Sequence, residues 1–94
     1  MTVYVDDAVV LWRGRRWAHL MADSLDELHA FASGLGLPRS AFQNRASGAH
    51  YDVPSELRAE AVSRGAVALS RHRDRARLRA VIAAARAQGR GERE

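Results

Sequence analysis

The chain has 94 residues, 47% of them hydrophobic, with a net charge of +4 and no cysteine. That length holds one hydrophobic core, the composition is globular rather than disordered, and the missing thiols exclude disulfides, cysteine nucleophiles and cysteine-ligated metals. All 15 basic residues are arginine, so the surface offers planar, permanently charged forks suited to phosphate and carboxylate, and an anionic partner is expected.

A domain this small buries only about 60–65% of its unfolded surface, so a homodimer is an expected source of extra stability. Asp6-Asp7 follows the first apolar residues at once, which leaves no room for the basic and apolar regions of a signal peptide. No apolar run approaches the ~20 residues needed to span a bilayer. The expectation is a cytoplasmic protein without a membrane partner.

Thr2-Val3-Tyr4-Val5 is β-rich and predicts a first strand ending at Asp6-Asp7. Ala8 to Leu11 predicts a second extended segment, Arg13-Gly14-Arg15 a turn, and Arg16 to Met21 a returning segment, with the register open. Ser24 and Glu27 form an S-x-x-E capping box, in which each side chain satisfies an exposed amide at a helix start. Leu25, Leu28, Ala32 and Leu35 continue as the buried stripe of that helix. Gly34 and Gly36 offer left-handed stops, and Pro38 blocks extension.

Pro38 to Phe42 predicts one more helical turn that brings Phe42 into the core. Gln43 to Ala49 is small and polar and reads as an irregular loop, and His50 to Val53 as a short extended segment. Pro54 opens the next helix, which carries Leu57, Ala61 and Val62 and ends at Gly65. Ala66 to Leu69 predicts a buried strand. Arg73 to about Gln88 predicts a long helix with Leu78, Val81, Ile82 and Ala85 on one stripe. Residues 89–94 read as a frayed, charged tail beyond a domain of residues 1–88. The expected fold is α/β or α+β: a mixed sheet of about three to five short strands covered by about three helices.

Several groups of residues carry chemistry. Trp12-Arg13-Gly14-Arg15-Arg16-Trp17 joins guanidinium groups, which grip phosphate in pairs, to indoles on which a base can stack. The plain alternative is a solvated hairpin tip with the tryptophans in the core. In a strand, the period of two puts His50 and Asp52 on one face, where they make a metal half-site or a general base with its orienting carboxylate. Such a pair also anchors loops. Asp6 and Asp23, at strand-to-loop junctions, are candidate ligands for a divalent metal ion, and His19 is a candidate base. His29 flanks the buried stripe of its helix. It is a candidate ligand-binding residue, with an ordinary packed histidine as the alternative.

No H-E-x-x-H, G-x-x-x-x-G-K-[ST] or G-x-G-x-x-G spacing occurs, so a metal or phosphate site would be assembled from dispersed residues. At helical spacing, Arg71, Arg75, Arg79, Arg86 and Arg90 fall within one arc of about 100°. That stripe reads either as a solvated face or as a track for a phosphate backbone.

The blocks Val3-Tyr4-Val5-Asp6-Asp7, Trp12-Arg13-Gly14-Arg15-Arg16-Trp17, His19-Leu20, Leu25-Asp26-Glu27-Leu28-His29, Phe42-Gln43 and His50-Tyr51-Asp52 together resemble the small bacterial family Domain of Unknown Function 4031. Arg58 and Gly65-Ala66-Val67 extend the likeness, so roughly residues 3–70 are covered, with 71–94 as a variable tail. The resemblance implies no activity, cofactor or partner. It does imply that Asp6, His19, Asp23, His29, Gln43, His50, Asp52 and Arg58 form one set.

The leading expectation is binding of an anionic ligand, a nucleotide or nucleic-acid phosphate, by Arg13, Arg15, Arg16 and Arg58 with Trp12 or Trp17 stacking. Metal-assisted phosphoester hydrolysis is the accompanying chemistry, with His19, His50 and Asp52 as catalytic residues. The second expectation is a non-catalytic module whose arginine-rich surface engages an acidic protein or nucleic acid.

Overall fold

In the computed structural model, which describes residues 2–45 and 48–93, the chain runs β1 (Val3–Val5), β2 (Val10–Trp12), β3 (Arg15–Ala22), α1 (Leu25–Gly34), β4 (Phe42–Arg45), β5 (Gly48–Pro54), α2 (Ser55–Ser63), β6 (Val67–Ala68) and α3 (Arg75–Arg93). A short 3-10 turn, Arg39–Ala41, precedes β4. The strands form one mixed six-stranded sheet in the order β4-β5-β3-β1-β6, with β2 also on β3. Among the described residues only β1 and β6 pair in parallel. The fold is α+β.

The eight-residue β3 organises the sheet. On one edge its C-terminal half pairs with β1 (Val5 opposite Leu20) and its N-terminal half with β2 (Trp12 opposite Arg15). On the other edge it pairs with β5, placing His19 opposite Asp52. The β2–β3 turn has two residues, Arg13 and Gly14, both at positive φ. That conformation matches hairpin twist and suits glycine.

Alternation along the strands divides the core. Val3, Val5, Ala18, Leu20, Ala22, Tyr51 and Val53 face α1 and α2, packing on Leu28, Ala32 and Ala61. Tyr4 and Met21 face the other way, against Leu69 and Leu78 and Val81 of α3. Full burial of a Leu- or Val-sized side chain contributes about 1.5–3 kcal/mol, so Leu20, Leu28, Val5 and Val53, all under 2% exposed, fix the sheet between its helices. No helix of the described residues is long and apolar enough to cross a membrane.

Four local readings change. Residues 43–45 belong to a strand rather than a loop, because β4 pairs with β5 and sets Gln43 opposite His50, while Phe42 opens that strand and packs on the core as expected. The remainder of that expected loop includes Ala46 and Ser47, which lie outside the described residues. Pro54 ends β5 and caps α2 instead of occupying its first turn. Gly34 stays within α1, and Gly36, at φ +82, supplies the left-handed stop. The last helix begins at Arg75 and continues through Arg93, past the expected end at Gln88. Two hydrogen bonds tie this part of the helix to the rest of the fold: the Gln88 amide donates to the Asp23 carbonyl and Asn44 Nδ2 to the Gly89 carbonyl (3.2 Å).

Candidate functional site

The Cα ladder sets the site. Placing His19 opposite Asp52 in β3–β5 and His50 two residues before Asp52 in β5 puts all three side chains on the α3 face. There, one ligand atom from each of His19, His50 and Asp52 lies within 4.8 Å of the others. His50 Nε2 is 3.3 Å and His19 Nε2 3.9 Å from Asp52 Oδ1. Ligands around a tetrahedral ion at about 2.0–2.2 Å lie roughly 3.3–3.6 Å apart, so these two distances are near that spacing.

The far side of each ring is tied down. His19 Nδ1 is 2.8 Å from Asp6 Oδ2, and His50 Nδ1 is 2.8 Å from the Gly48 carbonyl oxygen. A carboxylate and a carbonyl only accept, so each Nδ1 carries a hydrogen, and each ring in its neutral form offers the Nε2 lone pair on the Asp52 side. This is the arrangement by which metal-ligating histidines are commonly oriented. The Gln43 amide donates to Asp52 Oδ2, leaving Oδ1 toward the histidines.

Asp6 is fully buried and acts as the hub. Its Oδ1 accepts the His19 backbone N–H (2.6 Å), and its Oδ2 also accepts Arg71 Nη2 (2.8 Å). The Asp6 hydrogen bond is the main cause that raises the His19 imidazole above its ordinary 6.5. Burial works against this, as does the charge of Arg71, while the charges of Asp6 and Asp52 assist. Arg71 comes from the turn after β6. Since β6 runs parallel to β1, the two strands deliver Arg71 and Asp6 to the same end of the sheet.

Two clefts flank the cluster. One, of about 250 Å³, lies between the sheet and α3 and is lined by His19, His50, Arg71 and Arg86 with Met21 and Ile82. The other, of about 390 Å³, is lined by Val10, Trp12, Trp17, Gln43, Arg45 and Asp52.

The remaining expected site residues are elsewhere. Asp23 is at the far end of β3, where its carboxylate accepts the Thr2 backbone N–H (3.0 Å). Four strand residues from His19 is about 13 Å, so Asp23 belongs to the fold and not to the cluster. His29 is on the opposite face of the sheet, 2.8 Å from the Tyr51 hydroxyl and edge-on to Phe42. Arg58 clamps the β1 exit, with Nε donating to the Asp6 carbonyl (2.6 Å) and Nη2 3.7 Å from Asp7. Arg13 stacks over Trp12 and Arg15 over Trp17, and Arg15 also pairs with Glu56. Arg16 alternates with Arg15 and Trp17 along β3 and is exposed, so it is not part of the cluster.

The guanidinium groups that do line the clefts are Arg71, Arg86 and Arg45. In the sequence, Arg71 and Arg86 read as part of a helical stripe, whereas Gln43-Asn44-Arg45 reads as bringing an amide and a guanidinium to the mouth of the site, where Gln43 and Arg45 indeed line one cleft. The signal for Arg71 was its place just after a buried strand, the same kind of junction that flagged Asp6.

A family model described as "Protein of unknown function (DUF4031)" matches residues 3–81. The match takes in every residue of the cluster and also Arg71, so the family likeness extends beyond residue 70. No curated protein and no solved structure matches the chain.

Proposed function

The chain belongs to the family of proteins of unknown function DUF4031, and we propose that this member binds a divalent transition-metal ion and uses it to hydrolyse a phosphoester. The observation that carries this reading is the convergence of His19, His50 and Asp52, with both imidazole Nδ1 atoms held by fixed acceptors. Two imidazoles and one carboxylate suit zinc, manganese or ferrous iron, and three protein ligands leave positions open for water and substrate, as catalytic sites require. In this role His19 and His50 are ligands rather than bases, and Asp6 orients His19 instead of binding the ion.

An ion held by His19, His50 and Asp52 would act as a Lewis acid and would make water at the site more acidic. The chain's own groups do the rest. Arg71 and Arg86 offer guanidinium forks to the phosphoryl oxygens. The water oxygen joins phosphorus and gives up one proton to solvent, the ester P–O bond breaks, and the leaving oxygen takes one proton from solvent to depart as the alcohol.

The test is calorimetric titration of EDTA-stripped protein with Zn²⁺ and Mn²⁺, together with hydrolysis of bis(p-nitrophenyl) phosphate. One ion per chain is expected, with affinity lost in His50→Ala and Asp52→Ala. A hundredfold excess of the ion over its dissociation constant should stabilise the fold by about 2.7 kcal/mol. Absence of stoichiometric binding by either ion would remove the proposal.

One observation favours the non-catalytic reading: a groove of about 170 Å³ lined by Arg71, Arg75, Leu78, Arg79 and Ile82 continues the basic surface along α3. Nucleic-acid binding that falls steeply with salt and ignores metal would support it.

A further inference from the structure

The cleft on the other side of Asp52 has a chemistry that metal binding does not use. We infer that it is a base-stacking subsite and that the substrate of the proposed hydrolase is a nucleotide, its base against the Trp12–Trp17 wall and its phosphate at the metal cluster. This assignment rests on the hydrolase reading for the phosphate end only.

Three observations support the base end. First, the two indoles are held in place before any ligand arrives. Trp17 Nε1 donates to the Trp12 carbonyl (3.1 Å), the rings meet edge to face at 6.0 Å, and Arg13 and Arg15 stack on them at 4.6 and 5.4 Å. Wall groups that lose little freedom on binding lower its entropic cost. Second, the wall is open. Trp12 is 56% and Val10 42% exposed, and both line the cleft. Single exposed apolar residues are ordinary, but a contiguous patch beside a cleft marks a contact surface.

Third, the spacing suits one small molecule. Trp17 and His19 are two residues apart on one strand face, about 7 Å, and Asp52 belongs both to the cluster and to the cleft lining. The cleft, at about 390 Å³, lies in the range of small-ligand sites, about 300–1,000 Å³. Gln43 and Arg45 supply the polar groups that hydrogen-bond a base edge.

The same nucleotide chemistry has two sources: a free mononucleotide, or the end of a single strand whose further phosphates follow Arg75 and Arg79 along the α3 groove. The experiment separates them. The chain's two tryptophans both line the cleft, so intrinsic fluorescence reports occupancy directly. Protein with and without Zn²⁺ is titrated with AMP, ribose 5-phosphate, and a short 5′-phosphorylated single strand.

AMP is expected to quench and to bind more tightly than ribose 5-phosphate, by roughly 5- to 150-fold for one stacked base. Trp12→Ala, at an exposed position that the core does not need, is expected to erase most of that difference while leaving Zn²⁺ affinity unchanged. A strand that binds more tightly than AMP assigns the source to nucleic acid, and the reverse assigns it to free nucleotide; both keep the subsite. Equal affinity for AMP and ribose 5-phosphate overturns it. So does a dimer by sedimentation whose tryptophans do not respond to AMP, since a second copy would then occupy the wall. If Zn²⁺ does not bind but AMP is still preferred, the hydrolase reading fails and the base subsite stands.

Discussion

Replacing Asp6 with asparagine alters one group of a fully buried side chain and should disable the cluster while leaving its size unchanged. The aspartate accepts three hydrogen bonds, from His19 N, His19 Nδ1 and Arg71 Nη2. In the amide, the oxygen can keep the His19 backbone N–H, but the NH₂ then faces the other two donors. Hydrogen bonds to a charged group are worth about 1.5–3 kcal/mol each, and a buried donor left facing donors costs about as much. Arg71 is half exposed and can turn to water, which recovers part of the loss. A net destabilisation of about 2–4 kcal/mol follows, or a fall in Tm on the order of 10–20 °C for a domain of this size.

The functional consequence is separate from that loss. An amide N–H aimed at Nδ1 makes that nitrogen an acceptor and moves the imidazole proton to Nε2, removing the lone pair that faces Asp52. Loss of such an orienting partner typically costs 10- to 100-fold in metal affinity. Thermal denaturation and Zn²⁺ calorimetry on the Asp6→Asn protein measure the two effects independently. A lower Tm with Zn²⁺ affinity unchanged within about twofold would refute the orienting role and leave Asp6 a structural residue.

Two other expectations use the same cluster. Folding raises the pKa of His19 in the metal-free protein, so folding favours its protonated form. The resulting stability is complete below about pH 6.5 and is lost as pH rises through the folded-state value. Asp6, Arg71 and Asp52 are the charged groups facing the ring, and the His50 ring lies 5.0 Å away. Denaturant titrations of metal-free protein as pH rises from about 6.5 should therefore show falling stability, with a smaller slope in His19→Gln; a rise would reverse the sign. On the opposite sheet face, Tyr51→Phe removes the hydroxyl 2.8 Å from His29 and should cost about 1–2 kcal/mol. Zn²⁺ affinity should stay constant, and a weakened metal site would instead connect the two faces.

The sequence made half of the cluster readable. A period of two puts His50 and Asp52 on one face whatever the rest of the chain does. What brings His19 to them is the β3–β5 register, which depends on contacts more than thirty residues apart in the chain, and no local pattern records it. His29 shows the opposite failure. It stands beside the buried stripe of α1, and the helix pattern indicated which stripe was buried but not which sheet face the helix would cover. Small, polar neighbours give Gln43 a loop preference; pairing with β5 overrides it and carries the amide to Asp52. The arginines of the hairpin were conspicuous by density, yet Arg13 and Arg15 stack on the indoles. Arg71, hidden in a turn, is the one that reaches the cluster.

Asp6 explains why two adjacent aspartates that look alike in the sequence have different fates. Asp6 N–H still donates to the His19 carbonyl (3.1 Å), as a strand residue would. The return bond does not go to the Asp6 carbonyl. His19 N donates to the Asp6 side chain, and the freed carbonyl accepts from Arg58. The chain therefore leaves the sheet at Asp6 and rejoins the same edge of β3 at Val10, with Asp7 outside accepting the Arg71 backbone N–H (3.0 Å). This break aims a carboxylate at the back of His19 where an unbroken strand would have presented only backbone. Burying a charge among charged partners is seldom more stable than apolar packing of the same volume, and a domain of this size has only about 5–10 kcal/mol of stability to lose. Core stability alone gives little physical reason for Asp6 at that point of the sheet. Orientation of His19 toward Asp52 and His50 does.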